Sequence, residues 1–441
     1  MSIPVVTIGS EQAELVGGLE RLHGPVTVVR RCAELAELVA ACQSGLARVA
    51  VVVGDTADIT VTLVDRLAAV AVGIVGLSDD DGERRRLDGL GVGAAHERVR
   101  AEDLAELIAE AARRAGALAA AGASASSFSL AGARPVADVP TTADEVGESG
   151  DGGAAATGEI IAFWGPTGAP GRTTLAINAA AELVRAGKSV LVVDADTYGA
   201  SVAAQLGLLD EAAGLAQACR LGDQGALDAG ALRRLATPVV TEAGILLVLT
   251  GITRADRWPE LRAAALGTVL ERSREIADVV VIDAGFCLEA DEELSFDTMA
   301  PRRNAATLRS LELADRIVAV GAADAVGMPR LVRALAELEQ AVPHASPDVV
   351  FNKVRKGALG RFPERALRDA WDRFGPRRPI TALVPYDVEA ADASLLGGSL
   401  LLECAPQSPL RTAVANVVCS PVQRNRKTAV ASARALVTRP R

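Results

Sequence analysis

Short runs of apolar β-formers alternate along this chain with stretches whose apolar positions recur every three or four residues. In the first 115 residues the runs fall at 4–8, 26–29, 49–53 and 70–77, with a weaker one at 92–95. Between them, 11–22, 33–42, 62–68 and 101–114 read as amphipathic helices; the last carries Leu104, Leu107, Ile108 and Ala111 at helical spacing. Strands alternating with helices in this way predict a small doubly wound α/β domain over residues 1–115. Residues 116–157 lose the pattern. They are Ala/Ser/Gly-rich and then acidic with prolines, and predict a flexible linker.

The pattern resumes at residue 158. An apolar strand, 160–164, runs into GPTGAPGRTT, a helix-like LAINAAAELVRAGK follows, and a second strand at 190–193 ends on Asp194. This is a βαβ unit with a glycine-rich first turn, the arrangement of a phosphate loop. Such a loop turns backbone N–H groups inward, which glycine permits, and the following helix adds its positive N-terminal end. The candidate cradle is Thr167, Gly168, Ala169, Pro170, Gly171, Arg172, Thr173 and Thr174. Thr173 would give its hydroxyl to Mg²⁺, and Arg172 stands where G-x-x-x-x-G-K-[ST] has its lysine, while Pro166 replaces the first glycine. Asp194 and Asp196 form a D-x-D at a strand end. ADVVVIDAGF then gives a second acid-terminated strand, ending on Asp283. Carboxylates there hold a Mg²⁺ shell or position water, so Thr173, Asp196 and Asp283 are the candidate metal residues. Asp196 and Arg172 are the candidate catalytic pair. Further strands are expected at 245–249, 317–320 and 348–352, and helices at 214–243 and 330–340. The segment 287–304 reads as a surface loop, and Lys353, Arg355 and Lys356 as solvated.

Composition narrows the function. A chain of 441 residues with half its residues hydrophobic can bury two cores. A net charge of −10 speaks against a surface that coats nucleic acid, and 3% aromatics against recognition by stacked rings. Six cysteines without a C-x-x-C pair, and three histidines, leave no zinc pattern and fit a reduced interior. The start of the chain lacks a basic, apolar leader, and the longest bulky apolar run, 67–77, is of core-strand length, so a cytoplasmic protein is expected. Residues 421–441 carry basic side chains and no acid. They predict a solvated tail, with contact to anionic lipid at the inner membrane face, or to DNA, as the alternative.

The first domain resembles a response-regulator receiver. Asp55 follows the third strand, where a receiver keeps its phosphoacceptor, and Ser78 follows the fourth. The acidic pair after strand one is replaced by Gly9-Ser10, which leaves Mg²⁺ too few oxygens and implies a structural or protein-binding domain. With loop, D-x-D and acid-ended strand in order, residues 158–420 resemble the MinD/ParA class of deviant-Walker P-loop ATPases. The resemblance implies a SIMIBI-type, mostly parallel sheet with helices on both faces, ATP and Mg²⁺ as cofactors, and a homodimer formed on nucleotide. It also places Asn352, in VFNK, against the base. The segments VPYD (384–387), RWPEL (257–261) and 302–320, together with a degenerate receiver in front, look like the CpaE/TadZ branch. That branch implies a protein that positions Tad/Flp-type pilus or secretion machinery through protein partners. The class has a lysine where Thr167 stands and another at Arg172. The replacement leaves two further readings open: a hydrolysis-impaired scaffold of the same fold, and a chromosome-partition or division-site ATPase.

Overall fold

A computed structural model describes residues 2–9, 12–22, 24–127, 158–208, 213–290 and 302–419. The acidic linker segment 128–157, the loop segment 291–301 and the basic tail 420–441 lie outside the described residues.

The front domain has five parallel strands, β1 (Ile3–Ile8), β2 (Val26–Cys32), β3 (Val49–Val53), β4 (Gly73–Leu77) and β5 (Gly93–Ala95), in the order β2-β1-β3-β4-β5. This is the doubly wound order. Every residue of β3 is buried, as its all-apolar VAVVV requires of a central strand covered on both faces. The helices α1 (Gln12–Arg21), α2 (Leu35–Gln43), α3 (Val61–Ala69), α4 (Asp81–Gly89) and α5 (Ala101–Ser127) divide between the faces. Leu38, Leu63, Leu67 and Leu87 pack on one side of the sheet, and Leu19, Leu104 and Ile108 on the other. Two differences from expectation appear. The charge-rich DGERRRLDG has only Leu87 to bury, so its periodicity is silent, yet it forms α4. And α5 runs on to Ser127, so residues 116–127 are helical; uncharged, alanine-rich sequence is a strong helix former even where it has little to bury.

The second domain is an eight-stranded sheet in the order β13-β12-β11-β6-β10-β7-β9-β8. Its strands are β6 (Glu159–Trp164), β7 (Val190–Ala195), β8 (Thr237–Thr241), β9 (Gly244–Leu249), β10 (Val279–Ala284), β11 (Arg316–Ala322), β12 (Asp348–Val354) and β13 (Ile380–Pro385). All pairs are parallel except β8–β9. The expected helix over 214–243 is in fact α8 (Gly214–Asp223), α9 (Ala229–Leu235) and the edge strand β8. TPVVT is β-branched and alternates half-buried with exposed positions, and Gly244 at φ 137° closes a hairpin onto β9.

The helix after the loop, α6 (Arg172–Arg185), is buried along most of its length. It carries two polar anchors. Asn178 accepts from the amide of Leu401 at 2.8 Å, and Glu182, 1% exposed, meets Arg411 on the helix Pro409–Cys419 at 2.6 Å. These bonds pin the C-terminal segment across the back of α6. Truncating Arg411 strands a buried carboxylate that keeps only the exposed Arg185. Arg411→Met should therefore cost about 3 kcal/mol in urea unfolding, and Glu182→Met combined with it should recover much of that loss.

Candidate functional site

The register of three strands builds the site. β10 lies between β6 and β7, with Asp283 opposite Phe163 on one side and Asp194 on the other. The carboxyl ends of β6, β10 and β7 thus present, side by side, the glycine-rich loop, Asp283 and the segment Asp194–Asp196. Ligands of open α/β sheets bind at this edge.

The loop is shaped by close approach. Gly171 opens α6 at φ 96°, and a Cβ on it would lie 2.4 Å from the Asn352 side-chain nitrogen. That nitrogen donates to the Pro170 carbonyl at 2.8 Å, so β12 clamps the loop from the side. Lys353 continues the clamp. Its backbone is left-handed, φ 62°, with its amide donating to Asn352 Oδ1 and its Nζ to the Ala169 carbonyl, each at 2.8 Å. Expected to be solvated, Lys353 instead holds the loop. Arg355 likewise stacks over the Tyr386 ring at 5.0 Å, and only Lys356 is exposed as expected.

Arg172 turns inward. Its Nη1 donates to the Gly165 carbonyl at 3.1 Å and its Nη2 to Asp196 Oδ2 at 3.0 Å, in an ion pair whose two side chains are 12% and 7% exposed. The other oxygen of Asp196 accepts from the amides of Tyr198 and Gly199. Thr173 donates to Asp283 Oδ2 at 2.6 Å, while Asp283 Oδ1 is buried without a partner among the described residues. Burial pushes the Asp283 carboxyl up to about 6, against the opposing pull of the Arg172 charge and the Thr173 bond. Asp194 is raised well above the carboxylate range by burial and by the charge of Asp283. Its oxygens accept from the amides of Asp196 and Val202, so it shapes the strand-end loop rather than facing the cavity.

A cavity of about 450 Å³ opens over this edge. Ala169 to Thr174, Asp196 and Asn352 line it, and Asp283 sits directly behind Thr173. Thr167 and Gly168 do not join them: they line a separate recess of about 90 Å³ beside Arg330. Sequence reasoning left Ser201 unassigned, as not specific enough, and missed Gln205. Ser201 donates to Thr173 Oγ1 at 3.3 Å, and Gln205 accepts from Thr174 Oγ1 at 3.3 Å. Single polar residues in a loop carry no spacing signal; their distance from the D-x-D along α7 (Val202–Gln205) becomes meaningful only once that helix is folded.

These residues fit a Mg²⁺ ion that brings part of its own shell. Among the described residues no three His, Cys, Asp or Glu side chains could hold a metal alone. The Thr173 hydroxyl and the unpartnered oxygen of Asp283 supply the few hard ligands that Mg²⁺ takes when phosphate and water fill the rest. In the front domain, exposed Asp55 borders a cavity of about 520 Å³ with Gly9, Cys32, Glu34 and Asp58. Ser78 is buried and accepts from the Asp80 amide.

Residues 161–400 match the model of the CobQ/CobB/MinD/ParA nucleotide binding domain. No curated protein matches the chain. Among solved structures, the cell division ATPase MinD of Pyrococcus furiosus is 20% identical, covering 59% of this chain and 97% of its own, with a TM-score of 0.45. MinD of Pyrococcus horikoshii OT3, solved with Mg-ADP, is 17% identical over 59% of this chain and 94% of its own, at 0.45. A ParA family ATPase from Chlorobium tepidum TLS is 16% identical over 60% and 99%, at 0.46.

The raised Asp283 carboxyl has a pH signature. Its folded state holds the proton more tightly than the unfolded chain, whose value is near 3.8. The contribution to stability is therefore complete below about 4 and is lost as pH rises through about 6. Without metal the protein should resist urea better at pH 5 than at pH 7 as far as this group acts. Asp283→Asn should reduce that difference by about 1 kcal/mol, the part of the effect that falls between those two pH values.

Proposed function

Because the chain belongs to the CobQ/CobB/MinD/ParA nucleotide-binding family, we propose that it binds ATP with Mg²⁺ in the cavity over α6 and works as a nucleotide-dependent ATPase. The observation that carries this reading is the convergence of the Gly171–Thr174 backbone with Asp196 and Asp283 at one sheet edge. The amides at the start of α6 receive the phosphates, and Thr173 and Asp283 hold the ion, which neutralises phosphate charge. Asp196, tied by two backbone amides, orients the attacking water. Asn352 and Tyr386 also line the cavity and receive the base. Beside its mouth, Tyr386, Leu395 and Leu396 are 46%, 60% and 93% exposed. An apolar rim of this kind supports closure by a second copy on nucleotide binding. The resemblance to the CpaE/TadZ branch supplies the cellular role: positioning of Tad/Flp-type pilus or secretion machinery.

A second reading, a hydrolysis-impaired scaffold, is favoured by the Arg172–Asp196 ion pair. A guanidinium bound to the strand-end acid is withdrawn from the phosphates, and its broad fork does not replace a lysine.

Two measurements separate these. Calorimetric titration should show Mg-dependent ATP binding, weakened at least about tenfold by Arg172→Ala, since the loss of one buried charge contact is worth about 1.5–3 kcal/mol; no binding to the parent chain overturns the ATPase reading and leaves the scaffold. Phosphate release should be measurable for the parent if it is an ATPase. A large gain on combining Thr167→Lys with Arg172→Lys, from a silent parent, identifies the scaffold.

A further inference from the structure

The two domains meet at a joint that the cavity chemistry does not use. Asp223, the last residue of α8, accepts on a single oxygen from the Thr62 amide at 2.9 Å and the Thr62 hydroxyl at 2.5 Å. Its other oxygen faces Arg262 at 3.8 Å. Thr62 is the second residue of α3, where a backbone N–H has no acceptor within its own helix. The ATPase-like domain therefore supplies the acceptor, placing a carboxylate at the positive end of the α3 dipole. Beside it, Arg86 of α4 donates to the carbonyl of Gln224 at 3.0 Å, and also to those of Ile59 and Thr56. Gly225, at φ 69°, lets Leu90 close in: a Cβ there would sit 2.7 Å from a Leu90 methyl.

Each end of this joint leads to a cavity. Ile59, whose carbonyl Arg86 holds, lines the front cavity together with Asp55. On the other side, α8 is a single helix that begins at Gly214. Its first two amides, of Gly214 and Leu215, donate to the hydroxyl and carbonyl of Thr250, both at 3.0 Å. The next residue, Gly251, touches Asp194 so closely that a Cβ would lie 2.8 Å from the carboxyl carbon. Asp194 in turn accepts from the Asp196 amide. An unbroken series of hydrogen bonds and backbone contacts thus joins the Asp55 loop to the acids of the nucleotide site.

We propose that this joint docks the front domain on the nucleotide domain in cis and couples the two cavities, α8 carrying the setting of Asp223 to Thr250, Asp194 and Asp196. The coupling rests on the nucleotide reading given above; the docking does not. Reciprocity follows: nucleotide must alter the joint by the same factor by which the joint alters nucleotide affinity.

The experiment uses the full chain and two variants, Asp223→Ala in one domain and Thr62→Val in the other. Amide exchange is followed at Thr62 with and without Mg-ATP, and ATP affinity by titration. In the parent the Thr62 amide should exchange slowly. Asp223→Ala should speed it at least about tenfold, while the Leu63 amide, which donates to the hydroxyl of Thr60 just before α3, stays unchanged. Mg-ATP should shift the parent's Thr62 exchange, and both variants should change ATP affinity about fivefold or more, the lower end of measured couplings. Thr62→Val leaves the nucleotide domain untouched, so a folding defect there cannot explain its effect. A Thr62 amide that exchanges fast in the parent overturns the docking. Slow exchange with ATP affinity unaltered in both variants overturns the coupling alone. A parent that binds no ATP overturns the coupling together with the nucleotide reading, with the exchange result still standing for the joint.

Discussion

The second domain depends on where β10 sits. Inserted between β6 and β7 in parallel register, it brings Asp283 level with Asp194 and just behind the loop that follows Trp164. No side chain could bring these groups together if β10 paired elsewhere, because Asp283 stands 110 residues from Thr173 along the chain. The register is enforced by burial: β7 and β10 are each buried at all six positions, and a sheet covered on both faces gives no alternative partner to so apolar a strand.

That placement creates an electrostatic problem. Asp194, Asp196 and Asp283 are at most 5% exposed and lie within one strand-end cluster. Three ionised carboxylates cannot share so dry a space, and the structure answers in three different ways. Asp194 is raised toward its neutral form, Asp196 is paired with Arg172, and Asp283 keeps one hydroxyl partner and one empty oxygen. Only the last is left in a state that an incoming cation improves. Arg172 is therefore a counter-ion of the acids. A lysine, a compact charge on a flexible stem, would leave Asp196 for a phosphate more readily than a guanidinium held by both a carboxylate and the Gly165 carbonyl.

Sequence pattern reached the parts of this arrangement that have a period or a spacing. The front strands, the βαβ unit and the acid-ended β10 were legible because buried parallel strands are apolar runs and the phosphate loop has glycines at fixed offsets. What stayed hidden had no such signal. α4 is nearly all polar, β8 is a five-residue edge strand inside alanine- and leucine-rich sequence, and α5 outlasts its apolar stripe on alanine propensity. In the site, Asp196, Asn352 and Gly171 were placed by motif and resemblance, and the fold brings them to one cavity. Thr167 belongs to the same motif but faces a different recess. The role of Lys353 was invisible because it lies in a φ of 62° and in a contact to a carbonyl 184 residues away.

The same logic explains why the joint between the domains could not be read in advance. Its bonds join a helix start to a helix end, Thr62 to Asp223, and an arginine to a main-chain carbonyl, Arg86 to Gln224. Neither leaves a trace in composition. Both ends of α8 are nevertheless fixed by bonds to other elements: the N-terminal amides by Thr250, the last residue by Thr62 and Arg262. Most helices of this length are held chiefly by the apolar face they bury. One that is also anchored through polar groups at each tip cannot shift at one end without straining the other. Because Thr250 precedes the glycine that touches Asp194, the strain has a short route to the buried acids.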